Sequence, residues 1–546
     1  MSPVDVNAAA AAVTASRERP GAGRRAMRWR PAPGGGRPGW WRVCTHPAVI
    51  SALVTAVGAI VWVIAFPRVG TDLSAALARA GWAHAYPGSA YIFSWYGGIY
   101  PAGYSLLAPY LLAIAGTRLA MALAAVVTAG LLAWLLARAQ VPRPRLAAVW
   151  LGLALWTQLS AGRASFTLGL AAAAGCVAAI GGRRPPGVAR LLAAAGLALL
   201  CCLLSPVAAL FLGVVAAALA VTGRWREGLA VGLGAAVPLA AMAALFPDGV
   251  QPIGVQAWLP PLLAAAAVAL LVPRRWPLVR AGAVIYALGV IAAWAVPTPV
   301  GSNVARLGEL LAGPLLVGMA YYSRPRWLLA TALGAAAVWQ VTQPAVDLAQ
   351  GNAPAYSPQT QALVRELRAI HAGTARVEAV PQYGHWESQE LAAAVPLARG
   401  WERQIDVARN PLFYGRTLTP AAYHGWLRYN AVRYVALSAA TPDPAAAAEA
   451  TIIRRGQPWL VPAWHDAFWR LYRVAGTFPL ASPPGTVIGT TPAQITLRLR
   501  RPGTTIVRVR WSPRLRSTGS AALARRGAWT SLTAPRAGRY TLSAPY

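Results

Sequence analysis

Gly70-Thr71-Asp72-Leu73 follows the first long apolar run of the sequence, residues 47–66. An amphipathic segment, Ser74 to Ala85, and an aromatic segment, Tyr91 to Pro101, come soon after it. Asp72 is one of only four acidic residues in the apolar part of the chain. Because ionisable groups near the membrane are costly and are functional candidates by default, we expect the chain to hold this carboxylate at a membrane surface.

The composition is that of a membrane protein. Of the 546 residues, 57% are hydrophobic and 12% are charged, whereas a soluble domain has ~25% charged residues. All basic residues are arginine, and they are spread through short loops, so the net charge of +34 indicates membrane topology rather than a nucleic-acid surface. The lack of lysine indicates a GC-rich bacterial genome. The four cysteines predict neither a disulfide framework nor a metal site.

Apolar runs of membrane-spanning length, roughly 17–25 residues with some shorter members, recur along the first two thirds of the chain. They are residues 47–66, 118–138, 146–161, 165–181, 188–203, 205–222, 228–246, 257–272, 279–296, 304–322 and 327–345. The sequence therefore predicts a polytopic α-helical membrane protein with about 11 transmembrane helices, occupying residues 46–345.

Arginine-rich loops fall on alternate connections between these runs. They contain Arg138, Arg143, Arg145, Arg183, Arg184, Arg190, Arg224, Arg226, Arg274, Arg275, Arg280, Arg324 and Arg326. Residues 1–45 are basic and rich in glycine and proline, which predicts a disordered cytoplasmic tail. The charges together place the N-terminus in the cytoplasm and everything after Pro344 outside. We expect a multi-pass protein of the plasma membrane with an extracytoplasmic C-terminal half, residues 346–546.

The connection between the first two runs, residues 67–117 (the first loop), is much longer than its neighbours. Leu73, Leu77 and Trp82 recur at helical spacing, so we expect a helix that lies in the membrane interface. Residues 104–115 are apolar but too short to span, which predicts a second interfacial or re-entrant helix. A membrane-lying loop with one acid suits chemistry on a lipid-borne substrate.

The other acids of the apolar part are Glu227, Asp248 and Glu309. Glu227 shares a cytoplasmic loop with arginines and is interpreted as a solvated charge. Asp248 and Glu309 lie at or near the outer face, as do Arg163 and Arg306, and these four are candidate substrate-binding residues. An alternative for Arg306 and Glu309 is an i,i+3 ion pair that only stabilises a helix end.

The C-terminal half has the pattern of a mixed α/β region followed by a small β-sandwich. A helix over 358–372 and a buried strand over 431–437 predict the first part, and alternating runs at 495–500 and 505–511 predict the second. The expected boundaries are residues 346–478 and residues 479–546. This half has 24 arginines against 10 acids, which suits a nearby anionic lipid or polymer or, equally, an arginine-biased soluble surface.

Aromatic, acidic and arginine side chains are dense between Glu378 and Tyr414, around His385-Trp386-Glu387 and Trp401-Glu402-Arg403. Two interpretations stay open. One is a carbohydrate contact surface, where rings stack on sugars and charged groups bond to hydroxyls. The other is a polar seam between a soluble domain and a membrane domain. The sequence contains no recognisable nucleophile triad spacing, and without lysine it has no phosphate-binding loop of the Walker type.

This order of features resembles the GT-C superfamily, integral-membrane glycosyltransferases that use polyprenyl-phosphate sugars. The resemblance covers residues 46–345 and rests on the architecture and one short motif, Gly70-Thr71-Asp72. It implies a catalytic base in the first loop, and the matching residue is Asp72. Many members carry two neighbouring acids there, often for a metal. Here Thr71 and Leu73 flank Asp72, so no metal and no cofactor are predicted.

The implied reaction is an inverting-type transfer of sugar from a polyprenyl-phosphate donor to a cell-envelope acceptor on the outer face of the membrane. Asp72 would take the acceptor proton, and Arg306 or Arg163 would stabilise the phosphate leaving group. Trp95 and Tyr96 are predicted to line the sugar or lipid groove. The expected partners are the lipid-linked donor, a glycan or lipid acceptor and membrane lipid, with no nucleic acid. A transporter or flippase for a lipid-linked or polysaccharide substrate and a non-catalytic envelope-assembly scaffold remain alternatives.

Overall fold

The computed structural model describes residues 43–66, 69–182, 185–246, 249–320, 325–351, 356–415 and 418–546. Most of the predicted cytoplasmic tail lies outside these residues, and so do Asp248, Arg183, Arg184 and Arg324. Contacts divide the chain into two units, Met1–Cys44 and Thr45–Tyr546. The second unit contains both the apolar helices and the C-terminal sheets.

Each predicted apolar run coincides with a helix of the described chain, and the first loop adds three more. The helices are α1 (Pro47–Ala65), α2 (Leu73–Ala85), α3 (Pro101–Tyr104), α4 (Ala108–Ala115), α5 (Thr117–Arg138), α6 (Pro144–Ser160), α7 (Ala164–Ile180), α8 (Val188–Leu204), α9 (Pro206–Val221), α10 (Trp225–Leu245), α11 (Val255–Leu271), α12 (Pro277–Ala295), α13 (Arg306–Met319) and α14 (Arg326–Gly351). Proline explains the boundary between α8 and α9, which are separated by one residue. The ring of Pro206 cannot continue α8, and Ser205 caps α9 by accepting a hydrogen bond from the Ala208 N–H.

Four helices in the described ranges, α1, α5, α10 and α12, are long and apolar enough to cross a membrane. Shorter apolar helices accompany them, namely α7, α8, α9 and α11. Along α1, the side chains of Leu53, Val57, Ile60 and Ile64 are exposed, an apolar surface that suits lipid rather than water. The helical part is that of a membrane-embedded protein.

Part of the first loop, around residues 89–100, is covered by the C-terminal half, and the position of the loop in the membrane interface stays a prediction. Helix α2 forms where the amphipathic pattern predicted it, and the second predicted helix is limited to α4. Between them, the Ala90 N–H donates to Ala544 O at 2.8 Å and the Phe93 N–H donates to Pro492 O at 2.7 Å. The rings of Tyr91 and Phe93 belong to the core of the C-terminal sandwich. Long-range packing therefore decides where this loop lies.

After α14 the chain forms a four-stranded sheet with helices around it. Its strands are β1 (Arg376–Ala379), β2 (Val432–Ser438), β3 (Leu460–His465) and β4 (Trp469–Val474), in the order β1-β2-β4-β3. Strands β1 and β2 are parallel and the other neighbours are antiparallel. The helices are α15 (Tyr356–Ala369), α16 (Trp386–Glu390), α17 (Arg403–Arg409), α18 (Pro420–Tyr429) and α19 (Ala447–Arg454). The predicted helix at 358–372 and strand at 431–437 are confirmed as α15 and β2, with small shifts at their ends.

The remaining strands pair antiparallel in two sheets. They are β5 (Gly485–Thr491), β6 (Gln494–Leu499), β7 (Gly503–Arg510), β8 (Arg516–Ser517), β9 (Ala522–Arg526), β10 (Trp529–Ala534) and β11 (Gly538–Ser543). The sheet orders are β7-β10-β9 and β5-β6-β11-β8. Along β7, Thr505, Val507 and Val509 are buried while the residues between them are partly exposed, which is the alternation expected of a strand with one face on a core. The predicted strands at 495–500 and 505–511 are confirmed as β6 and β7.

Candidate active site

Asp72 lies at the start of α2, against the turn that joins α6 to α7. Its N–H donates to Ala161 O at 3.2 Å. The approach is close because both segments have glycine with positive φ, Gly70 at +124° and Gly162 at +74°. A Cβ on Gly162 would lie 2.4 Å from the Leu73 nitrogen. The Asp72 carboxylate makes no capping bond to α2 and is free to bond elsewhere.

Two ion pairs surround this position. Arg306 Nη2 lies 3.0 Å from Asp72 Oδ2, and Arg163 Nη1 lies 2.7 Å from Glu309 Oε2. Gln158 Oε1 accepts a second hydrogen bond from Arg163 Nη1 at 2.7 Å. The Asp72 side chain is 24% exposed, so the carboxylate is not sealed from solvent. Four of the residues predicted from the sequence therefore come together in one place.

The pairing differs from the alternative considered for Arg306 and Glu309. These residues lie one turn apart on α13, yet in the described chain each bonds to a partner on another element. Arg306 reaches the first loop, and Glu309 reaches Arg163 at the start of α7. The interpretation as a local helix-end pair is therefore wrong, because the tertiary structure offers each group a partner across the bundle.

Asp347 on α14 also belongs to this site, and the sequence analysis missed it. The side chain is buried, and its Oδ1 accepts hydrogen bonds from Gln343 Nε2 at 2.8 Å and from the Tyr383 hydroxyl at 3.3 Å. Its charge interacts with those of Arg163 and Asp72. The residue lies two positions beyond the last predicted span, so the count of acids in the apolar part stopped short of it.

Tyr104, at the end of α3, is a second residue that the sequence analysis missed. Burial raises the pKa of Tyr104, and the nearby Asp72 carboxylate raises it further. The phenol therefore stays protonated and can donate a hydrogen bond at neutral pH. The guanidinium of Arg79 lies over its ring, 4.3 Å from the centroid. An aromatic hydroxyl in a loop of many aromatics carries no distinguishing sequence signal.

The C-terminal half reaches this region through Glu402. Glu402 Oε2 lies 2.5 Å from Arg79 Nη2, and both side chains are buried. Burial raises the pKa of Glu402, and the Arg79 charge opposes that shift. The Glu402 N–H also donates to the Tyr96 hydroxyl at 3.1 Å. A residue more than 300 positions away thus holds α2, the helix that begins beside Asp72.

Trp95 and Tyr96 do not line a groove, which corrects the sequence prediction. Both side chains are buried, and Trp95 Nε1 donates to Ser388 O at 2.8 Å. The rings pack between the first loop and the C-terminal half, with Trp95 edge-on to Trp82 at 4.7 Å. These contacts hold the first loop against the C-terminal half.

The charged centre of the region between Glu378 and Tyr414 is buried inside the C-terminal half, whereas Trp401, Arg403 and Tyr414 are partly exposed. Arg399 bonds to both Glu378 and Glu449, and all three side chains are at most 2% exposed. Burial raises the pKa of both glutamates, and the Arg399 charge opposes the shift. Enclosed in this way, these three side chains cannot bond the hydroxyls of a sugar.

A second buried network in this region surrounds His385. The ring stacks on Trp401 at 3.4 Å between centroids, and its Nε2 lies 3.3 Å from Asp443 Oδ2. Burial alone lowers the pKa of His385, but the adjacent carboxylates of Asp443 and Glu387 raise it by more, so the net shift is upward. Arg403 forms two bonds to Asp443, at 2.7 and 3.1 Å.

The site around Asp72 thus combines a partly exposed carboxylate, two guanidinium groups and a neutral phenol. A carboxylate can accept a proton, and guanidinium groups can bond an oxyanion with two parallel hydrogen bonds. Asp248, which was predicted near this site, lies outside the described residues. In the part of the chain that the structure describes, no group of three or more His, Cys, Asp or Glu side chains is placed to hold a metal ion.

Comparisons with known proteins find similarity to solved structures but not at the level of sequence families. No protein-family model and no curated protein matches this sequence. The structure is similar to the crystal structure of ArnT from Cupriavidus metallidurans bound to undecaprenyl phosphate, over 81% of this chain and 100% of that chain, at 12% identity and a TM-score of 0.40.

Proposed function

We propose that this chain is an integral-membrane glycosyltransferase of the GT-C type. It moves a sugar from a polyprenyl-phosphate donor to a cell-envelope acceptor. The observation that supports this most directly is the Asp72 carboxylate, which is a quarter exposed and bonded to Arg306, with Arg163 as a second cation nearby. The donor class rests on the resemblance drawn from the sequence and on these two guanidinium groups.

In this mechanism Asp72 acts as the general base. Its carboxylate accepts the proton of the acceptor hydroxyl as that oxygen bonds to the anomeric carbon of the sugar. The bond from the anomeric carbon to the phosphate oxygen breaks, and its electron pair leaves with the lipid phosphate. The proton then passes from Asp72 to solvent. The transition state has oxocarbenium character, as in glycoside hydrolysis.

Arg306 links donor binding to the activation of Asp72. Its guanidinium bonds to the Asp72 carboxylate at 3.0 Å and is therefore partly neutralised in the free protein. A donor phosphate would compete for the same donors, because guanidinium binds phosphate with two hydrogen bonds. Asp72 is then released from its ion pair and is free to bond to the acceptor hydroxyl when the donor is bound. Arg163 would stabilise the charge that develops on the leaving phosphate.

The proposed orientation puts the N-terminus in the cytoplasm, with eleven helices crossing the membrane and the C-terminal half outside. It rests on the alternation of arginine-rich loops in the sequence. A reporter enzyme fused after Ser357 should be active only on the outer side of the membrane. Activity on the cytoplasmic side would overturn both the orientation and the proposed face of reaction.

The decisive experiment compares Asp72→Asn and Asp72→Ala with the unchanged protein. Purified protein in nanodiscs is given radiolabelled polyprenyl-phosphate sugars and a membrane extract as acceptor, and transfer of label is measured. Loss of a general base lowers the rate by about 10²–10⁴-fold, so both variants should fall in that range. Glu227→Gln is the matched control, because Glu227 pairs with Arg224 at 3.0 Å, away from the site. Transfer that survives both changes at Asp72 would exclude this residue as the base.

A non-catalytic scaffold of the same fold is the second candidate. The direct bond from Arg306 to Asp72 favours it, because a carboxylate oxygen that already bonds to a guanidinium group is not free to bond to an acceptor hydroxyl. If the unchanged protein consumes none of the donors while remaining folded, the scaffold interpretation replaces the enzymatic one.

A further inference from the structure

The end of the chain has an unusual charge distribution. Residues 468–546 contain thirteen arginines and no aspartate or glutamate. Ion pairs of the C-terminal half in the described chain lie earlier, between Glu378 and Glu449. The sandwich and strand β4 therefore carry positive charge that no neighbouring side chain in the same stretch balances, and such a surface attracts anions.

A groove of about 460 Å³ opens where the mixed sheet meets the sandwich. Its lining includes Arg433 on β2, Arg473 on β4, Thr374, Thr486 and the connection from Gly476 to Pro483. The side chains of both arginines are exposed. Hydroxyl and guanidinium groups thus line a concave surface on the most basic part of the molecule.

Phe478 stands in this groove and is 44% exposed. The guanidinium carbons of Arg428 and Arg508 lie 5.1 and 4.9 Å from the centre of its ring. Arg508 Nη1 also donates to Pro479 O at 2.7 Å, which holds its side chain beside the ring. The groove thus presents an aromatic face that the neighbouring guanidinium groups hold in place, with positive charge on both sides of it.

We infer that this groove binds an anionic polysaccharide, with the arginines bonding carboxylate or phosphate groups and Phe478 packing against a sugar ring. Arginine bonds such oxyanions with two hydrogen bonds. A concave groove with an aromatic ring and hydroxyl groups fits a saccharide chain better than the flat surface of an anionic membrane. The inference does not depend on transferase activity, because binding needs no lipid-linked donor.

The test measures binding of the full chain in phosphatidylcholine nanodiscs at low salt. The probes are polygalacturonate, neutral dextran, and vesicles that contain phosphatidylglycerol. Two double variants remove the same charge: Arg433→Gln with Arg473→Gln in the groove, and Arg525→Gln with Arg526→Gln at exposed positions on β9. Phe478→Ala removes the ring alone. Thermal unfolding of each variant checks that it is folded.

We expect the unchanged protein to bind polygalacturonate and not dextran. The groove double variant and Phe478→Ala should each weaken binding by about tenfold or more, and the β9 variant by much less, because charge-assisted hydrogen bonds depend on position. Equal losses in the two double variants would show attraction by diffuse charge and overturn the inference. Binding to the anionic vesicles but not to the polysaccharide would overturn it in favour of a membrane contact.

Discussion

Two arginine-centred clusters in this chain use the same residue types and differ in their access to solvent. Around Asp72, the ion pairs with Arg306 and between Arg163 and Glu309 are partly exposed, up to 24% for Asp72 itself. Around Arg399, the side chains of Glu378 and Glu449 are fully buried. The first cluster joins the first loop to the apolar helices, and the second lies inside the C-terminal half.

The difference separates a candidate site from a structural element. A buried ion pair is costly to break, because the remaining charge has no solvent and no partner. A partly exposed pair exchanges its partner for water or for a ligand at a much lower cost. The Asp72 cluster can therefore respond to a phosphate group, whereas the Arg399 cluster can only hold its elements together.

The largest expected effect on stability is that of Arg399→Met. The change leaves Glu378 and Glu449 buried beside each other without a cation, which costs about 3–5 kcal/mol. The pKa of both glutamates lies above its ordinary value in the folded protein, so they protonate more readily and the loss should be smaller at pH 5 than at pH 7. Thermal unfolding in detergent, followed by tryptophan fluorescence, measures it.

Arg365→Met is the control for this prediction, because Arg365 is an exposed residue on α15. It should change the unfolding temperature very little. If Arg399→Met and Arg365→Met unfold at the same temperature, the buried pairs of Arg399 do not stabilise the fold and the comparison fails.

Arg306→Gln should have the opposite profile, with a large loss of transfer and a small loss of stability. Removing one preorganised donor at a developing oxyanion costs about 10²–10³-fold in rate. Unfolding should move by less than in Arg399→Met, because the partly exposed Asp72 carboxylate can bond to water instead, whereas Glu378 and Glu449 cannot. Arg306→Lys should recover part of the activity, since it keeps the charge without the two-pronged geometry. An Arg306→Gln protein as unstable as Arg399→Met would place Arg306 among the structural residues.

His385→Gln should give the smallest effect, and the effect should depend on pH. The pKa of His385 is raised in the folded protein by Asp443 and Glu387, so its protonated form stabilises the fold. That contribution is fully present below the unfolded-state pKa of about 6.5 and is lost as the pH rises through the folded-state value. The gap in unfolding temperature between the unchanged protein and His385→Gln should therefore be widest near pH 5.5 and should narrow at higher pH.

The control is His424→Gln, since His424 stacks on Trp459 at 4.5 Å and its Nε2–H donates to Ala475 O rather than to a carboxylate. Its gap to the unchanged protein should vary less over the same pH range. A His385→Gln gap that widens as the pH rises would contradict the protonated state proposed for this ring.

Much of the helical part was predictable because its causes are local. Apolar length and prolines set the helix ends, and the spacing of Leu73, Leu77 and Trp82 predicted α2. The sequence also indicated which charged residues are rare in the apolar part. Asp72 and Glu309 were singled out because acids are rare there, and Arg163 and Arg306 because they lie near the outer face. The structure brings these four residues together.

The partners of these groups were not predictable, because they lie far apart in the chain. Arg306 bonds to a residue 234 positions earlier, and Arg79 bonds to one 323 positions later. Trp95 and Tyr96 were predicted to line a sugar or lipid groove, and their burial follows from the C-terminal half that packs over this part of the first loop. The period of the apolar residues shows which face of a helix or strand is apolar, but it does not show which segment will cover that face.

The sequence by itself determined a chain of apolar helices, a loop with one rare acid and a C-terminal half of mixed elements and antiparallel strands. These follow from hydrophobic length and period, which act over a few turns. Only the tertiary structure decided that Asp72 is ion-paired yet partly exposed and that Arg399 is buried. It also decided that the C-terminal half packs against the first loop. Those outcomes depend on which charges meet when distant segments pack and on how much water the packing leaves beside them.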